Sequence, residues 1–216
     1  MQPNWNTPAG RLLQALAEAV LAKGLTFAEP ILVFGSAPLQ ICIAPDFLSG
    51  DVDVAGDTAL KQLVEDAGLG KDARQQYIQV VPSYVFRPGQ NWRGRAQILV
   101  LQGVAFLFPD PLDILLAKLR RLEEKDFLAF ELVRGRTGHP TEQEMIAELR
   151  DSYDQFYLQR DGRKSALWEN TEKLWPRIYG RKIDVSAEII EPVLAGLAEQ
   201  GSDQDYLEEL RNRLGL

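Results

Sequence analysis

Apolar residues near the start of the chain recur at helical spacing. Leu12, Leu13, Leu16, Val20 and Leu21 form one stripe, Thr7 can cap it and Pro8 suits a first helical turn, so residues 7–23 are predicted as a helix. The pattern then changes. "PILVFG" is a short continuous apolar run ending at glycine, which predicts a strand buried on both faces. "SAPLQICI" predicts a short helix with Ser36 as cap and Pro38 in its first turn, and "DVDVAG" predicts the next strand. A helix starting at Asp57 or Thr58 runs through Leu60, Leu63, Val64 and Ala67. "YIQVV", "SYVFR" and "AQILVLQ" have strand composition with Gly and Pro between them, and "AFLFP" adds another short strand.

Beyond Pro109 the pattern becomes helical. "DPLDILLAKLRRLEEKDFLAFELVRGR" starts with Asp110 as cap and Pro111 at the first position, and Leu112, Leu115, Leu116, Leu119 and Leu122 form its stripe. Thr141 and Glu144 fit a capping box for a helix through Met145, Ile146, Leu149, Tyr153 and Phe156. Further helices follow, including "SAEIIEPVLAGLAEQ" and "SDQDYLEELRNRL". This order predicts an α+β chain: a small mixed β-sheet core over residues 1–136 and a helical C-terminal domain over 137–216, meeting near "GRTGHP".

Charge and composition narrow the classes. With 45% hydrophobic and 25% charged residues the chain reads as an ordinary globular protein, and a net charge of −7 gives no global field toward nucleic acid or anionic lipid. No apolar run approaches the ~18 residues of a membrane helix. Glu18 interrupts the apolar stretch 12–21 and the start is not cationic, which argues against a signal peptide. The single Cys42 excludes an internal disulfide, and the cytoplasm is the expected compartment.

The chemistry concentrates in "VFGSAPLQICIAPDFLSGDVDV", residues 33–54. Residues two apart on a strand share a face, so Asp51 and Asp53 project side by side. Two such carboxylates repel, and a divalent cation removes that repulsion. Mg²⁺ suits oxygen ligands and commonly binds through one or two carboxylates plus substrate phosphates. Gly35 permits close backbone approach, and the Ser36 hydroxyl with free N–H groups at a helix start can meet a phosphate. Asp-x-Asp and Gly-Ser are each common by themselves. Their ordered combination, a buried strand ending in Gly-Ser, a short helix, and Asp-x-Asp about 15 residues later, is more specific.

This stretch resembles the nucleotidyltransferase superfamily of the polymerase-beta type. The resemblance implies Gly35 and Ser36 as triphosphate-binding elements, Asp51 and Asp53 as catalytic ligands of Mg²⁺ or Mn²⁺, and a nucleoside triphosphate as substrate. "LLAKLRRLEEKDFLAF" further resembles the Lys-Leu, Arg, Lys-Asp helix of AbiEii-like toxins and related nucleotidyltransferase-like proteins. It implies Lys118 near the phosphates and Asp126 as the acid of a Lys/Arg-Asp step. It also implies transfer of a nucleoside monophosphate to an RNA or protein acceptor, and a toxin–antitoxin setting with a cognate antitoxin. Arg120, Arg121, Glu123 and Glu124 read as a solvated face opposite the leucine stripe.

The chain departs from that pattern in one respect. Active members usually carry a third carboxylate on a later strand, where it binds metal or accepts a proton. The later strand is expected to be "RAQILVLQ", which has only Gln97 and Gln102, and no Asp or Glu occurs between Ala73 and Pro109. Asp110, Asp113 or Asp126 could substitute from the helical side. Asp110 is expected to cap a helix, Asp113 to lie in its first turn, and Asp126 to project about 12 Å beyond Lys118 along an unbroken helix. The alternative function is a catalytically degenerate module that binds a nucleotide or a protein.

Other residues carry weaker signals. Arg74, Arg87, Arg93 and Arg95 with Tyr77, Tyr84, Phe86 and Trp92 could contact a nucleic-acid backbone and stack on bases, but aromatic core residues with surface arginines explain the same composition. His139 is the only histidine and sits in a loop, Cys42 reads as a buried structural thiol, and Ser36 lacks the Gly-x-Ser-x-Gly setting of a hydrolase nucleophile. Trp168 and Trp175, seven apart, read as helix-packing residues.

Overall fold

The computed structural model describes residues 2–47, 50–71 and 76–216. Strand β1 (Ile31–Phe34) is buried at every position, as its continuous apolar run requires for a central strand. It pairs antiparallel with β2 (Asp51–Ala55) on one side and parallel with β5 (Val104–Phe108) on the other. β3 (Tyr77–Val81) lies parallel to β2, and β4 (Gln97–Leu101) lies antiparallel to β5, giving the order β3-β2-β1-β5-β4.

Strand alternation decides what each face of this mixed sheet does. Ile31, Val33, Val52, Val54, Ile78 and Phe106 point to one face and pack under α1 (Pro8–Ala22) and α3 (Thr58–Asp66). Thr7 accepts from the Gly10 N–H to cap α1, and Asp57 accepts from the Leu60 N–H to cap α3. The opposite face carries Leu32, Phe34 and Leu107, packed with Phe86, Trp92 and Ala117. Asp51 and Asp53 alternate with the buried Val52 and Val54, so they lie on this second face.

The helical part forms its own core. α2 (Ala37–Cys42), α5 (Pro111–Leu119), α6 (Glu124–Thr137), α7 (Glu142–Arg150), α8 (Ala166–Ile178), α9 (Glu191–Glu199) and α10 (Gln204–Leu214) supply one apolar cluster including Leu39, Leu115, Phe130, Leu149, Leu174 and Trp175. α5 and α6 thus pack with the C-terminal helices. The chain is α+β, as its pattern implies.

Three segments differ from their sequence patterns. "SYVFR" is not a strand: Ser83–Val85 form a 3-10 turn between Pro82 and Pro88, whose missing N–H groups disfavour a ladder. The helix after Pro111 is not continuous. It stops at Leu119, Leu122 takes a positive φ of 35°, and α6 starts afresh with a Glu123–Asp126 capping box. The helix opened by Thr141 and Glu144 ends at Arg150, and Phe156 reaches the core from beyond the 3-10 turn Tyr153–Gln155.

A charged tie joins the sheet to the helices. α4 (Trp92–Arg95) precedes β4 and ends at Arg95, whose guanidinium donates to Asp113 of α5 at 2.7 and 3.0 Å and to Glu148 of α7. Asp113 is fully buried and also accepts from the Gly89 N–H at 3.1 Å. Removing one partner leaves an uncompensated buried charge. Arg95→Met is therefore expected to lower stability by about 3 kcal/mol in urea unfolding. The double variant Arg95→Met/Asp113→Leu is expected to lose less than the sum of the single changes.

Candidate active site

The site begins where β1 ends. Phe34 pairs with Asp53 across the antiparallel ladder, so the next residue, Gly35, lies against the Asp53 side chain. Gly35 has φ of +71°, and a Cβ there would sit 2.3 Å from Asp53 Oδ2. Glycine is required twice over, for the left-handed backbone and for the close approach. Ser36 precedes α2, but its side chain makes no capping bond. Its Oγ instead accepts from Lys118 Nζ at 3.0 Å.

Lys118 is only 4% exposed. Burial lowers its pKa, and the hydrogen bond and charge of Asp126 oppose that fall. Asp126 Oδ1 accepts from Lys118 Nζ at 2.8 Å, and Oδ2 accepts from the Glu123 N–H at 3.0 Å. Burial raises the Asp126 carboxyl, but Lys118, the Glu123 N–H and Arg121 outweigh it and hold the pKa below the ordinary carboxylate range. The break between α5 and α6 makes this possible. It folds Asp126 back onto Lys118, where an unbroken helix would hold the two about 12 Å apart.

Asp51 and Asp53 line a cleft of about 530 Å³ together with Gly35, Ser36, Asp46, Gln79, Lys118, Arg121 and Lys125. Phe34, Phe47, Val81, Phe86, Ile114 and Leu128 give it apolar walls. Burial first, and then the charge of Asp51, push the Asp53 carboxyl up to about 6. A somewhat larger hollow of about 610 Å³ follows β3 past Lys61, Glu65, Lys71 and Tyr77, but it has no paired carboxylates. The five residues singled out by sequence, Gly35, Ser36, Asp51, Asp53 and Lys118, thus share one cleft.

The position expected for a third carboxylate requires correction. β4 lies at the far edge of the sheet, separated from β1 by β5, so Gln97 and Gln102 are not neighbours of the aspartates. Gln102 sits in the β4–β5 turn with φ of 51° and donates to Glu18. The strand beside β2 is β3, and there Gln79 stands in register with Asp53 and lines the same cleft. The helical acids are committed elsewhere: Asp110 caps α5 through the Leu112 N–H at 2.9 Å, Asp113 binds Arg95, and Asp126 binds Lys118. Among the described residues no group of three or more His, Cys, Asp or Glu side chains is placed to hold a metal ion.

Asp46, Gln79, Arg121 and Lys125 are polar cleft residues that the sequence pattern did not single out as site residues. Arg121 reads as part of a solvated face, and with the α5–α6 break both Arg121 and Lys125 line the cleft. Gln79 had a signal, as the polar centre of the strand "YIQVV". The arginine–aromatic window is largely structural. Phe86 stacks on Phe34 and meets Trp92 edge-on, Arg93 lies over Trp92, and Arg95 binds Asp113. Tyr84 and Arg87 are exposed, while Arg74 lies outside the described residues. His139 contacts Glu144 at the surface, burial pushes the Cys42 thiol up to about 11, and Trp168 and Trp175 are core residues.

A mixed sheet that presents a Gly-Ser turn and an Asp-x-Asp strand in one cleft is a nucleotidyltransferase-type core. The chain belongs to the family described as Nucleotidyltransferase of unknown function (DUF6036), whose model matches residues 11–155. The matched stretch contains the sheet, the cleft residues and the Lys118–Asp126 pair. Comparison with curated proteins and with solved structures finds no match in either.

Two outcomes follow from this geometry. A carboxyl whose folded pKa is raised binds a proton more readily in the native state than in the unfolded chain. Asp53 therefore supports folding at low pH, and that contribution is lost as pH rises from about 4 to about 6. Asp53→Asn is expected to flatten this segment of the stability–pH curve and to melt no lower than the parent at pH 7, as read by thermal unfolding. Gly35→Ala is expected to lose at least about 1–2 kcal/mol in denaturant unfolding from the left-handed backbone alone, and to displace Asp53 as well.

Proposed function

We propose that this chain binds a nucleoside triphosphate with Mg²⁺ in the cleft and transfers its nucleoside monophosphate to a hydroxyl acceptor. The observation that carries this reading is the convergence of Gly35, Ser36, Asp51, Asp53 and Lys118 on one cavity. The donor set suits a divalent cation: Asp51 and Asp53 share a face of β2, and Asp53 is held part-way to protonation beside a like charge. Mg²⁺ commonly binds through one or two carboxylates plus substrate phosphates. Asp51 and Asp53 would hold it, and when bound it would offset charge on the triphosphate.

The protein's own groups would do the rest by positioning and electrostatics. Lys118 fixes the Ser36 hydroxyl at the turn, so that both face a phosphate oxygen together. Arg121 and Lys125, on the rim, suit the outer phosphates. In the transfer the acceptor oxygen bonds to the α-phosphorus as the bond to the bridging oxygen breaks. Pyrophosphate leaves, and the hydroxyl proton passes to solvent or to a phosphate oxygen. An RNA or protein acceptor, and a toxin–antitoxin setting with a cognate antitoxin in the cytoplasm, rest on the resemblance of the Lys118–Asp126 segment to AbiEii-like toxins.

A second reading is a module that binds nucleotide or a protein partner without efficient transfer. Gln79 favours it, because a neutral amide beside Asp53 is neither a good base nor an anionic ligand. Incubation with labelled nucleoside triphosphates, Mg²⁺ or Mn²⁺, and a cellular RNA and protein extract separates the two. Label transfer that is lost in Asp51→Asn supports the enzyme. A rise in melting temperature with Mg²⁺–triphosphate but no transfer supports the binding module. No thermal shift and no heat by calorimetry at saturating nucleotide rejects both nucleotide readings.

A further inference from the structure

We propose that Gln79 limits this cleft to one divalent cation, the one that arrives with the triphosphate. The inference rests on the nucleotide-binding reading and concerns how many ions the site admits. Gln79 pairs with Asp53 in the parallel β2–β3 register and faces the same cleft, so it is the side chain on the neighbouring strand best placed to complete the aspartate pair. Its amide offers a neutral oxygen and an NH₂ donor, and no charge.

Two cations held about 4 Å apart repel four times as strongly as two unit charges at that distance, and only intervening anions make the arrangement tolerable. A triphosphate and two carboxylates supply enough anionic oxygen for one Mg²⁺ in octahedral geometry. A second ion would need a further carboxylate within reach. Asp46 is the other carboxylate lining the cleft among the described residues, and it is ion-paired with Arg136. Asp110, Asp113 and Asp126 are each bound elsewhere. The Gln79 NH₂ can instead donate to a phosphate oxygen at the place where a second ion would sit.

The test counts ions. Protein is saturated with a non-hydrolysable α,β-methylene triphosphate and titrated with Mn²⁺, and bound Mn²⁺ is read by electron paramagnetic resonance with calorimetry as a second measure. The parent protein is expected to hold one Mn²⁺ per bound nucleotide, and Gln79→Asp two. Gln79 is solvent-exposed, so this variant keeps the fold, and Gln79→Glu serves as a second version with longer reach. Asp46→Asn is expected to leave the count at one. Two ions in the parent protein, or one ion in both acidic variants with nucleotide bound, overturns the proposal. If the analogue binds none of these proteins, the nucleotide reading itself fails and the ion count falls with it. That result is distinct from nucleotide bound with the wrong count.

Discussion

The structure of the site depends on the burial of one ammonium group. Lys118 is carried inward on a leucine-rich helix, where an unpaired charge would be prohibitively unfavourable. Its partner is the carboxylate eight residues later, which a straight helix would carry out of reach. The chain meets this demand by breaking between α5 and α6, placing Leu122 at positive φ and restarting on a capping box that uses the same Asp126. One carboxylate therefore closes an ion pair and caps a helix. The second Lys118 contact, to Ser36, ties this helical corner to the turn after the central strand.

A second constraint acts on the sheet side. β2 must bury Val52 and Val54 under α1 and α3, and its period of two then forces Asp51 and Asp53 together onto the other face. Burial and mutual repulsion raise Asp53, and the Gly35 backbone approaches it so closely that no side chain fits between them. The sheet core thus pays for its apolar packing with a strained carboxylate pair. Of the two, Asp53 is the carboxyl whose burial favours its protonated form.

The sheet strands and four of the five residues that share the cleft were legible from short-range pattern, and Lys118 from a family resemblance. Continuous apolar runs mark β1, alternation marks β2, and Gly-Ser marks the turn between β1 and α2. What depends on topology was not legible. Nothing in "YIQVV" or "AQILVLQ" says which strand lies beside β2, and the sheet order makes Gln79 rather than Gln97 the neighbour of Asp53. Likewise the leucine stripe continues through Leu122, so periodicity alone predicts one helix where Glu123 and Asp126 in fact start another. At the same break Arg121, read as part of an outer face, lines the cleft together with Lys125.

These two constraints also divide the charge within the cleft. Lys118 and Asp126 neutralise each other at its wall, and Asp46 is matched by Arg136. The remaining acids, Asp51 and Asp53, lie on the sheet, whereas Arg121 and Lys125 project from the α5–α6 corner. Arg121 pairs with Asp126 and Lys125 with Glu123, and the charges of both also act on Asp53 against the rise caused by its burial. A molecule with one cationic end and one polyanionic end would lie along this gradient in a single direction. A metal-bound triphosphate has that polarity, and a simple anion or a simple cation does not. Under the proposed function, such a molecule would match the cleft in orientation as well as in charge, although the chain as a whole carries a net charge of −7.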